Sequence, residues 1–160
     1  DLQFAGFRGN IDTRLKKFRQ NFNWEATILA AAGLERLQLK TVGAVVTPLS
    51  FDVMLPAPGQ GALALQTRVK GSEDLRNLLL SIHDPLTATA VVAERAFLAA
   101  LGGGCLLPIA AYAEVIGAEQ LKLRGIAWLG KETTPRRGEV TGTIYEPQAL
   151  GQALAAQISS

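Results

Sequence analysis

The sequence predicts two fold classes in one chain: an α/β portion whose sheet is unfinished, then an α+β unit. Three observations predict this. Residues 86–160 read as helix, three strands and helix, with Gly117 and Gly130 at the connections between strands. Residues 1–85 offer isolated strand-like runs, each ending where a parallel sheet would need neighbours, so further sequence is expected ahead of them. Between the two portions His83-Asp84-Pro85 breaks the chain.

The elements follow in order. Residues 2–7 alternate and are expected as a short strand running into Arg8-Gly9-Asn10. Asn10 is a good N-cap and Asp12 suits the positive end of a helix. Ile11, Leu15, Phe18 and Phe22 make one apolar stripe on that helix. Residues 24–32 read as a buried strand turning into a short helix over 31–37, and residues 41–50 as turn and extended chain broken by Gly43 and Pro48. Next, Pro56, Pro58, Gly59 and Gly61 around Gln60 make a stiff crossing segment, with 62–67 as a following strand. Ser72 caps a helix reaching about residue 82. A long Ala-rich helix over 87–101 is expected to bury Ala93, Phe97 and Leu101, with Glu94 and Arg95 on other faces. Strands are expected over 108–115, 121–129 and 139–145, and Pro147 opens a last helix with Leu150, Leu154 and Ile158 in line.

Composition narrows the function classes. The 160 residues are 48% apolar and 19% charged, a globular balance. A net charge of +2 is too small to argue for nucleic acid, and no apolar run is long enough to span a bilayer. One cysteine excludes an internal disulfide framework and suits a reducing compartment. One histidine, one cysteine and no clustered carboxylates fall short of a metal-ligand set.

Two places can carry chemistry. Between residues 8 and 19 stand Arg8, Arg14, Lys16, Lys17 and Arg19 against Asp12 alone. A helix start after a strand is a ready anion site, and Arg8 and Arg14 can face it; a solvated basic face explains the same residues equally well. The second place is Leu101-Gly102-Gly103-Gly104-Cys105-Leu106-Leu107-Pro108, which reads as helix, glycine elbow, thiol and strand. The glycines open an approach to Cys105. A lone cysteine is more often a small buried hydrophobe, and no Lys or Arg adjoins this one in sequence to activate it.

Five motifs decide between these readings: Arg8-Gly9-Asn10-Ile11-Asp12-Thr13-Arg14-Leu15, Ala32-Gly33-Leu34-Glu35-Arg36-Leu37, Leu55-Pro56-Ala57-Pro58-Gly59-Gln60-Gly61-Ala62, Glu94-Arg95-Ala96-Phe97 and Gly102-Gly103-Gly104-Cys105. In this order and spacing the sequence resembles the porphobilinogen deaminase (hydroxymethylbilane synthase) family of tetrapyrrole biosynthesis, which supplies heme and chlorophyll. The resemblance covers essentially the whole chain and implies the C-terminal half of such an enzyme. It implies a core of two α/β lobes like those of solute-binding proteins, then a small domain of three antiparallel strands with helices on one face. Residues 1–60 would be the tail of the second lobe. Residues 61–83 would be the hinge and the return to the first lobe, and 84–160 the cofactor-bearing domain. Pro58, Gly59, Gln60 and Gly61 would form the hinge.

The resemblance also implies a mechanism. Cys105 would carry a dipyrromethane cofactor through a thioether, as a primer. Each porphobilinogen loses ammonia to give an azafulvene-like cation, which the free α-carbon of the growing chain attacks. Four additions and hydrolysis give 1-hydroxymethylbilane. Every pyrrole bears acetate and propionate arms, which suits the bidentate, permanently charged forks of Arg8, Arg14 and Arg36. The acid–base Asp of the family falls in the preceding domain, so no catalytic residue is expected among these 160, and the chain alone is expected to be inactive. The intact enzyme is expected to be a monomer in cytoplasm or plastid stroma. Three departures touch detail: Leu106 replaces a common Gln, Gln66 a common Glu, and Trp24-Glu25 a common Tyr-Asp pair. A non-enzymatic carboxylate-binding module would use the arginines and leave the cysteine elbow idle. A regulatory domain would bury Cys105.

Overall fold

A computed structural model of the chain describes residues 2–38, 43–104, 107–130 and 133–160. The chain divides into two compact units, Asp1–Leu49 and Ser50–Ser160.

The first unit holds two helices. Helix α1, Ile11–Gln20, is capped by Asn10, whose side chain accepts the Thr13 N–H at 2.9 Å. It ends at Asn21, which is extended, so Phe22 leaves the expected stripe and stands 96% exposed. Leu15 is the buried residue of α1. Helix α2, Ala31–Arg36, packs at Gly33 against the Ile11 side chain, where no Cβ would fit. Phe7 and Trp24 meet edge to face at 4.9 Å.

The second unit has the expected α+β order. Helix α3, Glu73–Leu80, buries no side chain. Helix α4, Pro85–Ala100, starts two residues earlier than expected because Asp84 serves as N-cap with Pro85 at the first helical position. The Thr87 N–H on its carboxylate holds Asp84 below the usual carboxylate range. Strands β1, Ile109–Ile116, β2, Gln120–Ala127, and β3, Arg136–Thr143, form an antiparallel sheet in the order β1-β2-β3. Helix α5, Pro147–Ser159, closes the chain. Strand β3 begins three residues ahead of expectation, because Arg136 pairs with Ala127 while its guanidinium donates to the Ile158 carbonyl near the end of α5.

Both α4 and α5 cover the same face of the sheet. A Cβ on Gly125 would meet Phe97 of α4 at 2.7 Å and Leu154 of α5 at 2.8 Å. Gly138, the partner of Gly125 in register, and Gly142 face Leu154 and Leu150 in the same way. Three glycines thus let large side chains settle directly onto the strand backbone. Ala93, Phe97, Ala111, Leu121, Leu123 and Leu154 fill the core. The helices touch where Gly151 lies on α4: a Cβ there would stand 2.7 Å from both the Ala96 Cβ and the Phe97 nitrogen. Backbone cannot yield as a flexible side chain can, so Gly151→Ala is expected to destabilise this unit by about 1–3 kcal/mol, read as a lower urea midpoint.

Two sequence expectations need correcting. Residues 2–7, 24–30 and 62–67 join no strand ladder among the described residues. Their apolar alternation is strand-like, but a strand is held by the N–H and C=O groups of a neighbour, and Leu2, Phe4 and Leu63 stand exposed instead. Glu94, expected off the buried face of α4, is 5% exposed.

Candidate functional site

Local chemistry fixes the basic start of α1. Gly9 has φ +133°, and a Cβ there would stand 2.8 Å from the Thr13 methyl, so this turn requires glycine. The carbonyls made available by the turn are then engaged: Lys17 Nζ donates to Arg8 O at 3.0 Å, and Arg14 Nε to Gly9 O at 2.9 Å. The Arg14 guanidinium also lies over the Phe7 ring at 5.8 Å, a cation–π contact. This bond from Nε ties the Arg14 side chain to the turn.

Arg36 belongs to the same unit. Gly33 of α2 touches Ile11, and Arg36 and Arg14 each lie three residues further along their own helices, on the sides that carry this contact. Arg8 and Arg36 are exposed, and neither forms an ion pair among the described residues. Two charged forks and a tethered third beside a helix N-terminus suit a ligand bearing several carboxylates. Among the described residues no group of His, Cys, Asp and Glu can hold a metal ion.

Around the cysteine, the flanking geometry is that of an elbow. Gly102, with φ +82°, ends α4; its N–H donates to Ala99 O, and the Gly103 N–H to Leu98 O at 2.9 Å. Gly103 must lack a Cβ because the Leu98 carbonyl occupies that place. Gly104 has open space where its Cβ would be. On the far side the Leu107 N–H returns to Gly104 O at 3.1 Å, and Pro108 O accepts from Trp128. Cys105 and Leu106 lie outside the described residues.

The crossing segment is tied into the second unit. Gln60 closes its own turn by accepting the Ala57 N–H at 2.9 Å. Gly59, with φ +76°, donates to Glu94 Oε2 at 2.6 Å, and Glu94 Oε1 accepts the Ala113 N–H at 2.8 Å. Burial pushes the Glu94 carboxyl up, against the two N–H donors that lower it. Sequence reading missed this residue because periodicity registers polarity and not partners. The spacing from Glu94 to Phe97 and Leu101 held the available signal.

A second cluster, also missed, lies on the sheet face opposite the helices. Arg124 pairs with Asp52 and Glu114, both at 3.0 Å, and Phe51 stacks on Tyr112 at 3.8 Å. The recess beside it is lined by Arg124 and Arg137 but also by Asp52 and Glu139, so its charges balance. This cluster binds residues 51–52 to the sheet.

Comparison with known proteins defines the class first: a cofactor-binding domain followed by a C-terminal domain. Residues 1–76 match the family model described as porphobilinogen deaminase, dipyromethane cofactor binding domain, and residues 88–160 match that of porphobilinogen deaminase, C-terminal domain. The porphobilinogen deaminase of Roseiflexus castenholzii is 41% identical over 99% of this chain and 50% of its own length. That of Brevibacillus brevis is 43% identical over 98% of this chain and 50% of its own length. That of Acidothermus cellulolyticus is 43% identical over 99% of this chain and 47% of its own. The chain belongs to the porphobilinogen deaminase family, and it spans about half the length of the curated relatives it matches.

Proposed function

We propose that this chain is part of a transferase that joins four porphobilinogen molecules head to tail, releasing ammonia and giving 1-hydroxymethylbilane. The observation that carries this reading is the family match through both units, with a cysteine at position 105 directly after the glycine end of α4. The residues present fit a carboxylated linear pyrrole: the backbone at Gly104 is open to approach, and Arg8 and Arg36 have no acidic partner among the described residues. When bound, dipyrromethane supplies the primer on which the pyrroles are joined.

In this reading Cys105 holds the cofactor through its sulfur as a thioether, while Arg8, Arg14 and Arg36 hold acetate and propionate arms of cofactor and substrate. Arginine remains charged whatever the local proton traffic, so it fixes carboxylates without taking part in acid–base steps. The carboxylate that handles protons is assigned to the part of the protein outside these residues. The proposed domains are 1–60, the tail of the second lobe of a two-lobed α/β core; 61–83, the hinge and return segment; and 84–160, the cofactor-bearing domain. Pro58, Gly59, Gln60 and Gly61 form the crossing. Among the described residues no helix is long and apolar enough to cross a membrane. The proposed setting is a monomeric enzyme in cytoplasm or plastid stroma, with no membrane or nucleic-acid partner. A carboxylate-binding module without catalysis would use the arginines and leave the thiol of Cys105 idle.

The test is the mass of the denatured full-length protein, followed by mapping of the Cys105 peptide. Added mass equal to two linked pyrrole units on that peptide is expected. An unmodified Cys105 in folded full-length protein exposed to porphobilinogen overturns the reading.

A further inference from the structure

In the motif Glu94-Arg95-Ala96-Phe97, Phe97 packs the core and Glu94 joins distant stretches of backbone. Glu94 is a buried carboxylate with no basic partner among the described residues; both its oxygens are spent on backbone N–H groups. Those donors come from two separate stretches, Gly59 in the crossing turn and Ala113 in β1. Strand β1 lies at the edge of the sheet, with β2 on one side only. The Ala111 and Ala113 N–H groups point off that free edge; Pro56 O accepts the first at 3.0 Å and Glu94 the second. Crossing segment and carboxylate together cover the edge.

We propose that Glu94 is a positioning residue: a carboxylate latch that clamps the Ala57–Gln60 turn onto α4 and β1, so that the crossing travels with the C-terminal sheet as one body. Any bending of the chain through this region is then confined to either side of the clamp. The architecture fits. On one side the boundary between the two units falls at Leu49 and Ser50. On the other, residues 63–71 make no backbone hydrogen bond among the described residues. Charge is central to the device. An ionised carboxylate offers an acceptor at each oxygen, whereas an amide offers one acceptor and turns a donor toward the other N–H. The inference rests on the proposed crossing role of residues 58–61, but not on the cofactor or the reaction.

Site-resolved amide hydrogen exchange on the full-length protein tests it, comparing wild type with Glu94→Gln, Glu94→Ala and the exposed neighbour Arg95→Ala. Glu94→Gln is expected to speed exchange at Gly59 or Ala113 at least tenfold, while amides of β2 stay within twofold of wild type. Glu94→Ala is expected to speed both, and Arg95→Ala neither. Wild-type rates at both amides in Glu94→Gln would overturn the proposal. So would a parallel rise at β2, which would mark a general loss of stability. Because no turnover is measured, these outcomes stand apart from success or failure of the deaminase reading. Should Glu94→Ala not fold, the glutamine variant alone decides.

Discussion

Serine in place of Cys105 is expected to leave the full-length protein folded, with no pyrrole mass attached and no turnover. The reasoning is chemical. A thioether forms through the thiolate, which is accessible near neutral pH; a serine hydroxyl is far less acidic and does not substitute as a nucleophile. The replacement changes one atom and leaves Gly102, Gly103 and Gly104 to end α4 as before, so folding is not the variable. Mass of the denatured variant and its rate of porphobilinogen consumption provide the two readings. Pyrrole mass persisting on Cys105→Ser would place the attachment elsewhere.

Phe97→Ala is expected to cost the second unit about 3–5 kcal/mol, a large share of the total stability of an ordinary domain. Phe97 is fully buried, and its ring occupies the space left by Gly125. Glycine across the interface cannot reach into the void, so the cavity would persist unless α4 moves. Movement is opposed by α5, which already lies against α4 through Gly151. Urea unfolding followed by tryptophan fluorescence reads the change, since Trp128 follows directly on β2. A loss under about 1 kcal/mol would mean that the layers close up freely.

What the sequence made legible depended on where each element finds its partners. Helix α4 was readable because its signals are local, an Ala-rich run stopped by Gly102, although Asp84 and Pro85, expected as a break, are its cap and first residue. Strands β1 and β2 were readable because Gly117 and the alternation of Leu121, Leu123 and Gly125 announce a hairpin. Residues 62–67 carry the same alternation, yet without a neighbouring ladder among the described residues the pattern makes no strand. Similarly, Phe22 fits the spacing of α1 but lies beyond the Asn21 terminus, which spacing cannot reveal.

Site residues show the same division. Arg8 and Arg14 could be read as flanking a helix start because Asn10 and Gly9 define that start within a few residues. Arg36 could be grouped with them only through the resemblance; its geometric link is the Gly33–Ile11 contact across 22 positions of chain. Glu94 escaped notice because its donors, Gly59 and Ala113, lie 35 and 19 residues away. The Arg124 cluster escaped for the same reason, with Asp52 separated from it by 72 residues. Long-range partners are a property of the fold, and a linear pattern registers only the residue that awaits them.

The glycines of the sheet bear on how sequences of this unit can drift. Gly125 and Gly138 face one another in register, and Phe97 and Leu154 fill the volume that their absent side chains leave. Volume is therefore shared between strand and helix and assigned to neither. A methyl gained on the strand is expected to be accommodated best by a smaller group on the helix, and either change alone is expected to cost stability. Substitutions at these four positions are therefore expected to be coupled, and a library that varies one of them at a time would miss the compensating pairs.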